Sequence, residues 1–465
     1  MSKQNNLTDF LTDVANAIRA KKGSTDLINP QNFSAEIAAL SGGLEVIDMT
    51  ETTATIEPNK VYVWGMVESL NITLGASTDG NDFFAFRFRC SKPTMTSLTI
   101  NGATWAEDTE LDAQGKPVLD LGSWYQCEIK GGTSALYARL AHYIPFADSN
   151  VESVLLAKGV GDGLGVTYKA AAKVTSISTW FKGNAYITAF SEFVNFSGIS
   201  SLLNIAFQGC SSLTEITFPN TLTSIGKHAF QGCSSMTRVK NLENTKVTGI
   251  SSNAFQNCTS LAEINFPSSL KQIDSYAFYG CSSLLELNIP TDVSNLKIWE
   301  LAFFDCQSLS VINISAISYL GRGAFDGVQL SGVVNFENLT EIGPYALRHT
   351  NVTNVKFPAI ITLPAIFNYD GIFSYCPHLV LVDIGENCTD IGDRSLGRYV
   401  GTQGIDITLI VRASTPPTLG GSLTSINSAN IGSIFVPDAS VEAYKQATNW
   451  SLYADVIKPL SEYTE

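Results

Sequence analysis

Residues 210–233 read CSSLTEITFPNTLTSIGKHAFQGC, and the phrase starts again from its own last residue. Its closing motif appears as AFQGC at 206–210 and 229–233, AFQNC at 254–258, AFYGC at 277–281 and AFFDC at 302–306. The cysteines at 210, 233, 258, 281 and 306 are therefore spaced by 23, 25, 23 and 25 residues. The motif then loosens but keeps its beat, as AFDGV at 324–328, ALRHT at 346–350, IFSYC at 372–376 and SLGRY at 395–399. A fixed period between about 20 and 50 residues marks a solenoid, whose turns are too small to bury their own apolar face and must stack.

Within one period the apolar slots are Leu213, Ile216, Phe218, Leu222, Ile225, Ala229 and Phe230. The I-x-F segment alternates with period two, as a short strand requires. Proline follows it at 219, 267, 290 and 358, where it ends a strand without removing a ladder hydrogen bond. Stacking is expected to join these strands into a parallel sheet along one side. Equivalent residues would then lie roughly 4.8 Å apart, so the cysteines should form a buried ladder of small hydrophobes. Val328 and Thr350 in the same slot imply that it selects size rather than sulfur chemistry. Zinc would need paired Cys or Cys/His spacing, which His142, His228, His349 and His378 do not provide.

The phrase resembles that of the BspA-like leucine-rich-repeat family, over about 200–400. The resemblance implies a right-handed solenoid used for binding, usually in bacterial surface or host-contact proteins, and no catalytic residues. The flanks extend the reading. Leu7, Phe10, Leu11, Val14 and Ile18 share one helical face, and a second short helix is expected around Phe33, Ile37 and Leu40. AIRAKKG…INPQNFSAEIAAL is similar to the N-terminal segment of bacteriophage tail and tail-fibre proteins, which implies attachment to tail or baseplate proteins and assembly as a homotrimer. Residues 1–42 are thus expected to be a helical attachment and oligomerisation segment.

Residues 43–150 change to β texture. Leu70, Ile72 and Leu74, Phe84, Phe86 and Phe88, and Tyr125, Cys127 and Ile129 all alternate with other residues. Thr78-Asp79-Gly80-Asn81 reads as a hairpin turn between two such runs. The expectation is a small antiparallel β-sandwich, similar to a β-domain of phage tail proteins. GVGDGLG at 159–165 lacks the GK[ST] ending of a phosphate loop, so 151–170 is expected to be a glycine-rich junction. The solenoid follows over 171–420 and a C-terminal cap over 421–465. In that cap Pro437 ends a strand, Asp438 or Ser440 caps a short helix, and Trp450 with Tyr453 closes the core. The fold class is therefore multidomain: short helices, sandwich, parallel-sheet solenoid and cap.

The chain of 465 residues carries 29 Lys+Arg against 43 Asp+Glu, a net charge of −14. Binding nucleic acid or anionic membrane needs a basic surface, so neither is an expected partner. MSKQNNLTDF has no basic-then-apolar leader, so no export signal is expected, and ladder disulfides are disfavoured on the same ground. No cofactor or metal is expected.

Candidate binding residues lie on the outward side of the I-x-F strands. One column reads Thr217, Lys240, Asn265, Asn288, Asn313, Asn335, Lys356 and Asp383; a second reads Glu215, Arg238, Glu263, Glu286, Val311, Val333, Asn354 and Leu381. Four successive asparagines predict an amide ladder, able to bond along itself or to meet sugar hydroxyls. Tyr276, Tyr279, Tyr319, Tyr345 and Tyr375 are expected near the strand-free edge as stacking platforms. Paired carboxylates such as Glu215 and Glu263, or Glu263 and Glu286, keep a glycosidase open. The function expected is a non-enzymatic phage receptor-binding protein, located in the virion and recognising a bacterial surface glycan or protein. A bacterial cell-surface adhesin, a polysaccharide-degrading tailspike and a structural tail component are the alternatives.

Overall fold

The computed structural model describes residues 45–464, apart from 59, 68, 76–82, 91–96, 102, 106–116, 118–123, 132–135, 162–164, 367–370, 398–405 and 424–430. The expected helices of 1–42 and the turn at 78–81 lie outside the described residues. The chain forms two compact units, one comprising 1–174 with 195–198 and the other 175–194 with 199–465.

In the first unit the strands alternate between two sheets. Glu45–Met49, Lys60–Val67 and Phe83–Cys90 lie side by side in parallel, and Thr53–Ile56, Ser69–Leu74 and Ser97–Asn101 form a second parallel sheet. Among the described residues, Trp124–Gly131 adds antiparallel pairings to Phe83–Cys90 and to Leu136–Tyr143. The expected antiparallel sandwich is thus corrected: two sheets do face a shared core, but most pairs are parallel. Strand Ser69–Leu74 and strand Phe83–Cys90 belong to different sheets, so no hairpin joins them. Between the sheets lie Ile56, Trp64, Leu70, Ile72, Phe84, Phe86, Phe88, Tyr125, Cys127 and Ile129. Residues 151–170 are not a plain junction. They hold most of a helix, Ser149–Ala157, N-capped by Asp148, and the start of another, Tyr168–Lys173, N-capped by Thr167.

The second unit is the stacked coil. Its I-x-F strands pair in parallel, for example Glu215–Thr217 with Arg238–Lys240 and Glu263–Asn265 with Glu286–Asn288. A second parallel ladder was not anticipated. Ten two- to four-residue strands, from Ser201–Leu202 through Ser224–Ile225 to Thr418–Leu419, run along another side. Each contributes at least one buried apolar residue, among them Ile225, Ile250, Ile273, Ile298 and Leu320. One inward residue in a two-residue strand leaves no alternation to read.

The A-F-x-x-C segments form the third side as tight turns. The Phe N–H of each donates to the Ala carbonyl of the next, from Phe207 to Ala229 through Phe325 to Ala346, at 2.7–3.0 Å. The rings follow the backbone: Phe207, Phe230, Phe255, Phe278 and Phe303 stack at 5.1–5.2 Å and within 8° of parallel. The cysteines are buried free thiols, as a core ladder requires. Their chemistry is nonetheless used. Each S–H donates to the Phe or Leu carbonyl of the preceding turn, as Cys233 to Phe207, Cys258 to Phe230 and Cys376 to Leu347, at 3.0–3.2 Å. The slot therefore wants a donor as well as a volume. Val328 fills it by volume alone, while the Thr350 hydroxyl donates to its own turn's Leu347 carbonyl at 2.8 Å.

At the C-terminus the strand Ile431–Val436 ends at Pro437, and Ile457–Pro459 adds a last parallel strand beside it. Tyr444 and Trp450 are fully buried, donating to the Ala413 and Pro417 carbonyls at 2.7 and 2.8 Å. Neither expected helix cap forms. Ser440 Oγ donates instead to Ser414 O at 2.6 Å, and Asp438 Oδ1 accepts from the Ser461 N–H at 3.0 Å.

Two outcomes follow. Phe255→Ala removes a ring packed on both faces and should lower unfolding free energy by about 3–5 kcal/mol in urea titration. Burial pushes the Cys281 thiol up from 9.0 to about 12 and the Cys258 and Cys306 thiols upward as well. A folded-state pKa above the unfolded one favours folding below pH 9, and that contribution is lost as pH rises toward 12. The urea midpoint should fall across that window, and these three thiols should react with a thiol reagent at pH 8 only after unfolding.

Candidate functional site

The outward strand columns are paired more than open. Lys240 Nζ meets Glu215 Oε2 at 2.8 Å, and Arg238 Nε lies 3.9 Å from Glu263 Oε1. These are exposed pairs of the kind that contribute about 0–1 kcal/mol, so they set local charge rather than stability. Glu263 and Glu286 stand side by side in register. The amide ladder has one rung, Asn288 Nδ2 donating to Asn265 Oδ1 at 2.7 Å. The expected run of four is corrected for a local reason. The strand Val311–Ile312 stops early and ISA, with no F-P to end it, winds into the 3-10 turn Ile314–Ala316. Asn313 leaves the strand face: it donates to Ile289 O at 3.4 Å and accepts from Ser315 Oγ at 2.7 Å. Asn335 begins anew in another sheet and reaches Glu337 at 3.4 Å.

From Asn335 onward the column opens into a groove of about 370 Å³. Asn335, Lys356 and Asp383, all members of the outward column, line it together with Pro358, Glu386 and Arg412. Asp383 is only 6% exposed, and Arg412 holds it with two bonds, Nε to Oδ1 and a terminal nitrogen to Oδ2, both 2.8 Å. Gly385 permits the close approach of turns at the groove: a Cβ there would meet Pro358 O at 2.0 Å. Arg412 and Glu386 were not foreseen, because neither sits in a slot of the repeated phrase.

The turn face carries what the strand face does not. The residue after each motif Phe forms a column, and its first three members are glutamines. Gln208 donates to Gln231 at 2.7 Å and Gln231 to Gln256 at 2.6 Å. Asn253 and His228 join the same ladder at 2.8 and 3.0 Å. The amide ladder expected on the strands is thus built by the Q of AFQGC and AFQNC, in plain view in the motif. The column continues as Tyr279 and Phe304, stacked at 4.9 Å, then Asp326 and Arg348, joined at 2.7 Å. Tyr276 lies 5.9 Å from Tyr279, and Tyr375 stacks on His349 at 4.6 Å. Tyr319 is corrected: it belongs to the second ladder, in Ile317–Leu320, and packs 5.1 Å from Trp299.

The backbone makes this face by a strained device. The residue before each motif Ala is left-handed, including Ile205, His228, Asn253, Tyr276, Leu301 and Tyr345. Such residues cost roughly 1–2 kcal/mol each outside glycine, and here the cross-turn hydrogen bonds offset it. Among the described residues, no group of three or more His, Cys, Asp or Glu side chains is placed to hold a metal ion, and no helix is long and apolar enough to cross a membrane.

A coil of repeated turns with parallel ladders and a regular turn face is the architecture of a repeat solenoid. Residues 183–309 and 296–408 match, in six copies, the family described as BspA type Leucine rich repeat region. Over this stretch the chain is similar to a BspA-type leucine-rich-repeat region. Solved structures with likeness to the chain include a leucine-rich repeat protein from Bacteroides ovatus, 18% identical, covering 56% of this chain and 87% of that one at TM-score 0.26. A leucine rich cell surface protein from Faecalibacterium prausnitzii is 20% identical, covering 54% and 84% at TM-score 0.30. The leucine rich repeat protein of T. pallidum is 26% identical, covering 42% and 67% at TM-score 0.21. No curated protein matches this chain.

Arg412→Ala leaves Asp383 buried without its bidentate partner. The expected loss is about 1–3 kcal/mol, read as a shift in the urea midpoint, and Arg412→Lys should restore only part of it because an ammonium cannot form the planar fork.

Proposed function

We propose that this protein is a non-enzymatic recognition protein whose solenoid binds a bacterial surface glycan or protein. The observation that carries the reading is the strand-face groove, where Asn335, Lys356, Asp383 and Arg412 from successive turns converge on about 370 Å³ of open space. Its polar groups come from rigid strands or the turns beside them, which suits binding by pre-formed contacts. On the resemblance of its first residues, the protein serves a bacteriophage tail as the receptor-binding element. In that setting residues 1–42 attach it to tail or baseplate proteins and assemble a homotrimer. Several copies then gain affinity through effective concentration, so no single site needs to be tight.

The test is attachment to bacteria. The double variant Lys356→Ala, Glu386→Ala should lose about tenfold or more in cell binding, with an unchanged urea midpoint. Cell binding equal to the unaltered protein would remove this groove as the recognition surface.

A further inference from the structure

We infer that a second cavity, on the turn face between Phe304 and Tyr345, is a subsite for one uncharged pyranose ring of a glycan. This deepens the recognition reading and rests on it, naming the ligand class and the place.

The cavity arises where the aromatic column is interrupted. The aromatic column Tyr279–Phe304 ends, because the next residue in it is Asp326, and the neighbouring column changes from Tyr276 and Leu301 to Gly323, where the Leu301 side chain leans into the place a Cβ would take. The space left is about 350 Å³. Phe304, half-buried, lines one side, and Tyr345 lines another with the guanidinium groups of Arg322 and Arg348 at 5.5 and 5.4 Å from its ring centroid.

The charges in the cavity cancel. Asp326, 2% exposed, accepts from Arg348 at 2.7 Å and lies 2.8 Å from His349 Nδ1. Arg322 pairs with Glu300 at 3.4 Å. Two guanidinium groups against two carboxylates leave no formal excess for an ionic ligand to neutralise. The exposed Arg322 and Glu300 side chains nevertheless present donors and an acceptor side by side, while buried Asp326 holds the Arg348 guanidinium at the cavity. A sugar hydroxyl is both donor and acceptor and can use both. The apolar C–H face of a pyranose finds its counterpart in the Phe304 ring, a large and rigid apolar surface. An anionic sugar would place a carboxylate near Glu300 and Asp326 without an unengaged cation, and a cationic ligand would meet the two arginines.

The experiment uses the full chain and hexasaccharides of glucose, mannose, galactose and N-acetylglucosamine, with hexagalacturonate as the acidic comparison. Calorimetric titration should show binding to at least one neutral oligomer and weaker binding of the acidic one. Phe304→Ala should weaken the neutral complex by about tenfold or more, and Glu300→Gln by a smaller factor, with urea midpoints recorded for both. Phe304→Leu keeps apolar volume without the ring, so it separates lost stacking from lost folding and should also weaken binding. Absence of binding to every neutral oligomer, stronger binding of hexagalacturonate, or a Phe304→Leu protein that binds as well as the unaltered one each overturns the subsite. A protein that still attaches to cells through the Lys356 and Glu386 groove while binding none of these sugars refutes the subsite and leaves the recognition reading intact. Sugar binding that survives the groove variant, on a protein indifferent to cells, does the reverse.

Discussion

The whole coil depends on keeping adjacent turns in register at the Ala-Phe step. Backbone N–H···O bonds from each turn to the next, such as Ile205, Phe207 and Gly209 to Lys227, Ala229 and Gln231, fix the rise, and the phenylalanine rings at 5.1–5.2 Å match it along the core. The spacing is near the natural distance between paired strands, about 4.7–4.9 Å, so backbone and ring stacking agree rather than compete. A turn longer or shorter than its neighbours must place its extra residues where neither is disturbed, which explains why steps of 23 and 25 coexist in a single stack. The cysteine thiols tighten the same joint. A Phe carbonyl such as Phe230 O accepts both the Cys233 N–H of its own turn and the Cys258 S–H of the next.

Register converts a repeated slot into a physical column, and the surface inherits the consequence. Where the phrase is most faithful, over 206–258, the column after Phe satisfies itself as a glutamine ladder. Where it decays, neighbouring slots no longer match and space appears. Both grooves lie largely on those less regular turns, at 276–348 and 335–412. Places where local consistency breaks without loss of the fold are where function is expected to reside.

The solenoid was legible because its signal is periodic and redundant: Phe255 and Cys258 mean little alone, but their equivalents recur at a fixed distance. The first unit was legible only as β. Alternation in Leu70, Ile72 and Leu74 reports that one face is buried, yet it is blind to the direction of the partner strand, and connections that switch sheets made parallel what was expected antiparallel. The outward columns were placed on the correct strands, but the amide ladder was not, because side-chain pairing also needs the strand to persist. At Asn313 it does not. Arg412 escaped detection for a related reason: its role comes from a partner, Asp383, 29 residues away, and no spacing rule within one turn connects them.

The charge pattern completes the argument. Only 15% of residues are charged, and the low-exposure carboxylates at both grooves are each bound to arginine, Asp383 to Arg412 and Asp326 to Arg348. Burying a carboxylate in an ion pair stabilises less than apolar packing of the same volume, and the core of this coil is built mainly of apolar columns. Retaining such pairs beside open space makes sense when the paired atoms must also face a ligand. The guanidinium then keeps the carboxylate oriented, and the carboxylate keeps the guanidinium from swinging into solvent. Each pair offers a positioned guanidinium with little net charge, which favours directional hydrogen bonding over long-range attraction. The excess of acid over base across the chain therefore says little about the partner, because at the grooves themselves the charges are matched.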